Sequence, residues 1–184
     1  MGVYYNLKKS VVRNLVEFSL LNLPDGVGTA FPGSPASKQT FYRTDLGKLY
    51  KYNGSWQEID IDYFFFDLDA HAEEQQLPNQ SSIVLKGFST VADEHIVSAE
   101  FMVGVMIFND TNLKKHDQVL DALFNMFLPT KYIKIWDMTT GFEVGTLVTA
   151  NGTEVMPMYK ANQRPLQMMG VTMISNITVN LVSQ

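Results

Sequence analysis

The chain has 184 residues, of which 46% are apolar and 18% are charged, a composition that predicts a folded globular protein without a disordered tail. Fourteen basic and nineteen acidic residues give a net charge of −5, which disfavours general attraction to nucleic-acid phosphates or to anionic lipid. The chain has no cysteine, so disulfides, thiolate metal sites and a cysteine nucleophile are excluded.

The first predicted element is an amphipathic helix over residues 3–21. Its apolar stripe recurs at helical spacing: Tyr4, Leu7, Val11, Leu15 and Phe18. Proline and glycine then crowd residues 24–35, which predicts that the helix ends and a loop begins. The first residues lack the uncharged core of a signal peptide, and no apolar stretch reaches about 18 residues, so we expect a cytosolic protein without membrane contact.

The stretch "TDLGKLYKYNGSWQEI", residues 44–59, contains two reverse-turn signals and predicts a three-stranded meander over residues 40–59. Tyr50 and Tyr52 share one face of the middle strand because strand side chains alternate, and we expect Tyr42 and Trp56 to join them across the ladder. So small a sheet has little core of its own, and these aromatic side chains are expected to supply it. If they instead face outward, they could stack on a pyranose ring.

The rest of the chain predicts strands and one further helix. The strands are expected at residues 62–74, 82–88, 94–108, 132–136, 142–149, 154–159, 166–175 and 177–182, and the helix at 112–128. Fifteen residues of strand span about 50 Å, so we expect the strand at 94–108 to bend near Gly104 or to project toward a neighbour.

This order of elements shows no βαβ alternation, so it predicts an α+β fold. The expected architecture is a mainly antiparallel sheet covered on one face by two helices, with a small inserted β-meander. Residues 1–22 and 60–184 are expected to form the main, ring-forming domain. Residues 23–59 are expected to form a loop and the inserted hairpin module.

The sequence contains no Gly-rich phosphate loop, no G-x-S-x-G and no H-E-x-x-H, so we expect no enzyme activity and no cofactor. Asp67, Asp69, His71 and Glu73 would share one face of an extended strand and could bind a divalent cation. A single flat strand rarely converges four ligands, however, so a solvated acidic strand end or the rim of a subunit contact is the preferred interpretation. Together with Glu74, the three carboxylates are therefore expected at a lumen or a subunit interface.

Part of the meander resembles a short β-hairpin element that recurs in structural proteins of bacteriophage virions. The residues that carry this resemblance are Tyr42, Thr44, Asp45, Lys48, Leu49, Tyr50, Tyr52, Asn53, Gly54 and Trp56. They cover about a tenth of the chain. The resemblance indicates a virion context and does not assign an activity.

Residues 1–22 and 60–184 resemble the tail terminator, or tail completion, proteins of long-tailed phages, in the order of their elements and in the late stretch "RPLQMMGVTMIS". The resemblance implies a homo-oligomeric ring, usually a hexamer, that ends the tail tube and gives the head a joining surface. The implied partners are the tail tube protein and the head-tail connector or neck proteins, and DNA would pass through the lumen without specific binding. The implied location is the head-proximal end of the virion tail, after assembly in the host cytoplasm.

Three other interpretations stay open at this point. The protein could be a carbohydrate-binding accessory module of a phage particle, a tail tube or head completion protein, or an enzyme of unrecognised type. A ring several times the chain mass of 20.8 kDa would favour the connector class. A monomer whose glycan affinity depends on Trp56 would favour the sugar-binding module.

Overall fold

The computed structural model describes residues 3–70, 79–92, 96–150, 153–161 and 164–175. Within them the elements follow in this order: α1 Val3–Asn22, β1 Gly26–Gly28, β2 Thr40–Arg43, β3 Lys48–Tyr52, β4 Trp56–Ile59, β5 Phe65–Asp67, β6 Ser82–Ala92, β7 Val97–Met106, α2 Lys114–Met126, β8 Tyr132–Trp136, β9 Glu143–Thr149, β10 Glu154–Val155, β11 Tyr159–Ala161 and β12 Arg164–Ser175. The predicted α+β class is confirmed.

The main sheet has the strand order β5-β6-β7-β12-β9-β8. Its pairs are antiparallel except for the short parallel pair β5–β6. One edge of β12 pairs with β7 over nearly its whole length. Along the other edge β12 pairs with three short strands one after another, β9, β10 and β11. Residues 147–161 therefore pair with one long strand in three separate stretches.

Both helices pack on one face of this sheet, as predicted. The inward residues of β7 alternate along the strand and are buried: Val97, Ala99, Phe101, Val103 and Val105. They share one apolar cluster with residues of both helices: Leu7, Val11 and Leu15 from α1, and Val119, Leu123 and Phe127 beside or within α2. The helical and strand periodicities in the sequence therefore meet in a single core.

Helix α1 also covers the edge strand β8. The hydroxyl of Ser10 accepts a hydrogen bond from the backbone N–H of Trp136 at 2.9 Å, and Asn6 Oδ1 accepts one from the N–H of Met138 at 3.3 Å. The guanidinium of Arg13 lies 4.3 Å from the centre of the Trp136 ring. Unpaired groups on a strand edge attract other strands, so these contacts occupy part of that edge.

The insert forms a second sheet in the order β1-β2-β3-β4. Strands β2 to β4 are the predicted meander, and β1 adds a parallel strand from the loop that follows α1. Leu49 of the insert is only 1% exposed and belongs to the main core cluster, against which Tyr42 and Ile59 also pack. Residues 23–59 are therefore joined to the main sheet by a shared core.

Several bounds differ from the sequence prediction. Strand β7 has ten residues, and the irregular pairing lies in β6 between Lys86 and Ser89, where Gly87 adopts a φ of 67°. The pairing of β7 with both neighbours is continuous at Gly104, without the irregularity expected there, and Gly104 makes room for the side chain of Met168. The strand expected at 177–182 lies outside the described residues.

Helix α2 begins later than predicted. Leu113 stands at its N-cap in a left-handed conformation, which a bulky residue rarely adopts. The carboxylate of Asp110 accepts a hydrogen bond from the N–H of His116 at 2.7 Å. Asp110 thus binds the first turn of the helix from upstream of the N-cap.

Candidate interaction surfaces

The aromatic side chains of the insert divide between its two faces. Tyr50 pairs with Phe41 and Glu58, and Tyr52 pairs with Trp56, so Tyr50, Tyr52 and Trp56 share the outer face as expected. Tyr42 pairs with Leu49 and turns with it toward the main core. The expectation that Tyr42 joins the other three is wrong, because the register places it one residue out of phase with them.

Phe31, from the loop before the meander, completes the outer aromatic cluster. Its ring stacks on Trp56 with centroids 4.7 Å apart and an interplanar angle of 9°. It meets Tyr50 edge-on at 5.0 Å, and the guanidinium of Arg43 lies 4.9 Å from its centre. These contacts engage the rings with one another inside the module, and Phe31, Tyr50 and Trp56 are partly buried. The arrangement matches a small core and argues against a free platform for a sugar ring.

The carboxylate of Asp67 binds helix α1. Its Oδ2 lies 2.9 Å from Nζ of Lys8, and the two side chains are only 16% and 21% exposed. Burial by itself lowers the pKa of Lys8, but the hydrogen bond to Asp67 and the negative charge of that carboxylate outweigh it and raise the pKa above the ordinary value of 10.5. The charge of Asp67 is therefore compensated inside the molecule.

Asp69 has a different local role, although the sequence predicted one shared face. Strand β5 ends at Asp67, so side-chain alternation no longer applies beyond it. The carboxylate of Asp69 accepts hydrogen bonds from the N–H groups of Gly87 and Phe88 at 3.0 and 3.1 Å. These two bonds stabilise the backbone of β6 where its pairing with β7 is irregular, between Lys86 and Ser89. Among the described residues no group of three acidic, histidine or cysteine side chains could hold a metal ion.

His71, Glu73 and Glu74, the remaining members of the predicted acidic set, lie outside the described residues. Their expected place at a lumen or a subunit interface stays a prediction.

An exposed apolar row crosses five strands of the main sheet. Tyr132 pairs with Val148, Val148 with Ile174, Ile174 with Ser98, and Ser98 with Val91. The exposed fractions are 61% for Tyr132, 38% for Val148, 38% for Ile174 and 57% for Val91. We call these four residues the apolar row.

The apolar row lies on the face of the sheet that the helices leave free. The chain neighbours of its members point the other way and are buried in the helix-side core: Ile133, Leu147 and Met173. Elsewhere on the free face Val84, Met106, Leu166 and Met168 form a second buried cluster. Phe66, Leu68, Met102 and Met156 pack against that cluster. The free face therefore has a covered half and an open half, and the apolar row lies in the open half.

No protein-family model matches the chain, and no curated protein matches its sequence. Neither of the two helices in the described part of the chain has a stretch long and apolar enough to cross a membrane. A function is therefore inferred from the surfaces above together with the resemblance noted in the sequence.

Proposed function

We propose that the protein is a virion structural protein that assembles into a ring, ends the phage tail tube and serves as the surface where head and tail join. The resemblance to tail terminator proteins suggests this role, and the apolar row supports it. Exposed apolar patches on a folded chain mark interaction sites. Burying one valine or isoleucine contributes about 1.5–3 kcal/mol, so burying the row would stabilise an assembly.

The proposed contact between subunits uses a face of the main sheet. Side chains of α1 already bind the backbone at the last residue of β8 and just beyond it, and β5 at the other edge has only three residues. Short and covered edges are poor templates for strand addition. The apolar row offers side chains that another copy of the chain can cover, and the proposed partner of this surface is a second copy.

The proposed ring has further partners. Its two ends bind the tail tube protein and the head-tail connector or neck proteins. The net charge of −5 lets DNA move through the lumen without specific binding. This acidic lumen does not depend on Asp67, because Lys8 compensates its charge.

The test is the mass of the purified protein, measured by light scattering and checked by negative-stain imaging. The native chain is expected as a particle several times 20.8 kDa with a central hole. Val148→Asp and Ile174→Asp are expected to release monomers with unchanged circular dichroism, because a buried carboxylate in the contact is strongly unfavourable. A native protein that stays monomeric, even with its tail tube protein added, would overturn the proposal.

Val27→Asp is the matched control for Val148→Asp. Val27 is 41% exposed, close to the exposure of Val148, but it belongs to the sheet of the insert. The same change of side chain there should leave the assembly intact. Equal loss of assembly in both variants would show that added negative charge, and not the apolar row, controls the mass.

The alternative functions predict other results. A sugar-binding module would be a monomer that binds glycans and loses them on Trp56→Ala, but the stacking of Phe31 on Trp56 disfavours it. A tail tube protein would polymerise beyond one ring, and a head completion protein would bind heads without capping tubes.

A further inference from the structure

A cleft of about 360 Å³ lies where the insert meets the main domain. Its walls come from the loop after α1, from β2 and β3, from residues 63–64 and 79–81, and from the chain between β7 and α2. Three lysines that are distant in sequence line it: Lys38, Lys51 and Lys115. Only the fold brings them together, so no sequence pattern indicated this site.

The cleft concentrates positive charge in an acidic protein. Elsewhere in the described residues Lys8, Lys48 and Lys134 each pair with a carboxylate. None of the three cleft lysines has a described carboxylate within 4.0 Å. Asp25, the acidic residue among the lining side chains, accepts hydrogen bonds from both the N–H and the hydroxyl of Thr40 at 2.8 Å.

Two of the three ammonium groups are held in place by the protein. Nζ of Lys115 donates a hydrogen bond to the carbonyl oxygen of Leu23 at 2.8 Å, and Nζ of Lys51 donates one to the hydroxyl of Tyr63 at 3.3 Å. An ammonium group has three hydrogens, so each keeps two for a ligand. The Tyr63 hydroxyl accepts from Lys51 and can still donate its own hydrogen. Lys38 is exposed at the mouth of the cleft.

We propose that this cleft binds a phosphate-type oxyanion, either free or as the phosphodiester group of a nucleic acid. Lysine binds phosphate as a point charge, and three such charges with a hydroxyl donor provide both attraction and hydrogen bonds. Because Lys51 and Lys115 are anchored beforehand, binding orders few side chains and so costs little entropy. This inference does not depend on ring formation.

Inorganic pyrophosphate is the probe for the first experiment, which is isothermal titration calorimetry of the full chain at constant ionic strength. The double variant Lys38→Gln/Lys51→Gln is expected to bind at least tenfold more weakly than the native protein. Lys86→Gln/Lys131→Gln removes the same number of positive charges at exposed positions outside the cleft, and it should change the affinity less than twofold. Circular dichroism checks that each variant is folded. If the double variant unfolds, the single variant Lys38→Gln replaces it in the titration, because Lys38 is exposed.

A second titration with a single-stranded oligonucleotide distinguishes the two sources of phosphate. Competition between the oligonucleotide and pyrophosphate would assign the cleft to a phosphodiester, and binding of pyrophosphate alone would assign it to a free anion. No binding of either probe, or an equal loss of affinity in both double variants, would overturn the proposal.

Discussion

Single side chains of the described acidic segment hold neighbouring parts of the fold together. Asp67 ties the edge strand β5 to α1 through Lys8, and Asp69 binds two backbone N–H groups where β6 is irregular. Each contact satisfies a charged or backbone group that would otherwise need water. These carboxylates therefore contribute to stability first, whatever further role the acidic segment has in an assembly.

The Lys8–Asp67 pair leads to a prediction about pH. The pKa of Lys8 is raised in the folded protein, so the pair stabilises the fold fully below pH 10.5, and this stabilisation is lost as the pH rises through the folded pKa. At pH 8 we expect Lys8→Gln to lower the free energy of unfolding by about 1 kcal/mol. The difference between native and variant should shrink above pH 10.5.

Urea unfolding of both proteins between pH 8 and pH 11.5 checks this. A difference that is constant across this range would contradict the role given to the ammonium group.

The residue-scale failures of the sequence prediction have physical causes. Tyr42 was misplaced because a strand's face depends on its register with Leu49, which turn signals alone do not determine. Phe31 was missed because its loop has no periodicity that ties it to the strands. The shared face of Asp67 and Asp69 failed because the strand ends between them. Local alternation predicts faces only where the strand and its partner are both correct.

Among the elements, β7 and β12 approach each other closely at one glycine. Gly104 of β7 pairs with Met168, and a Cβ at Gly104 would overlap Sδ of Met168 and lie 2.9 Å from the backbone oxygen of Gln167. A flexible thioether can move aside, but a backbone oxygen within a ladder cannot. The glycine is therefore required by the close approach of the two strands.

Gly104→Ala is accordingly expected to lower the free energy of unfolding by about 1–3 kcal/mol through overpacking. Gly170→Ala is a matched control in the same pair of strands, because a Cβ there would meet only Cε of Met156 at 4.0 Å, an ordinary contact. Denaturant unfolding compares the two. In a Met168→Ala background, where the thioether is gone, Gly104→Ala should still lower the free energy of unfolding relative to Met168→Ala alone, and no loss there would show that the backbone contact is harmless.

The sequence predicted most of the helices and strands that form, but it predicted less well where each of them begins and ends. The apolar stripe of α1 and the residues of β8 were predicted almost as the structure has them, because each buries one regular face. Residues 154–159 were expected as one strand, whereas β10 covers only Glu154–Val155 and β11 begins at Tyr159. They pair with β12 in two separate stretches, so no continuous pairing enforces one regular strand.

In the whole molecule the insert and the main sheet share one core. Leu49 lies on the inner face of the meander and is buried in the same cluster as both helices. Lys51 of the insert adds a polar contact across the same junction, to the hydroxyl of Tyr63. An insert attached in this way cannot unfold without exposing part of the main core.

Leu49→Ala should therefore destabilise the entire chain, by about 2–4 kcal/mol, because it leaves a cavity in the shared core. We expect far-UV circular dichroism and tryptophan fluorescence to report a single, coincident unfolding transition. Leu46→Ala is the control, since Leu46 is 50% exposed in the adjacent turn and should cost little. Two separate transitions, with only the first shifted by Leu49→Ala, would show an independently folding insert.

The contacts of Ser10 and Asn6 with strand β8 also have a consequence for misassembly. These two side chains accept hydrogen bonds from the N–H groups of Trp136 and Met138, which could otherwise donate to the backbone of a foreign strand. A chain whose first helix is cleaved or detached would present a bare β-edge beside an already apolar sheet face, a combination that seeds cross-β fibrils. Helix α1 thus protects the edge of the sheet from pairing with strands of other chains, which would lead to fibrils instead of a closed assembly.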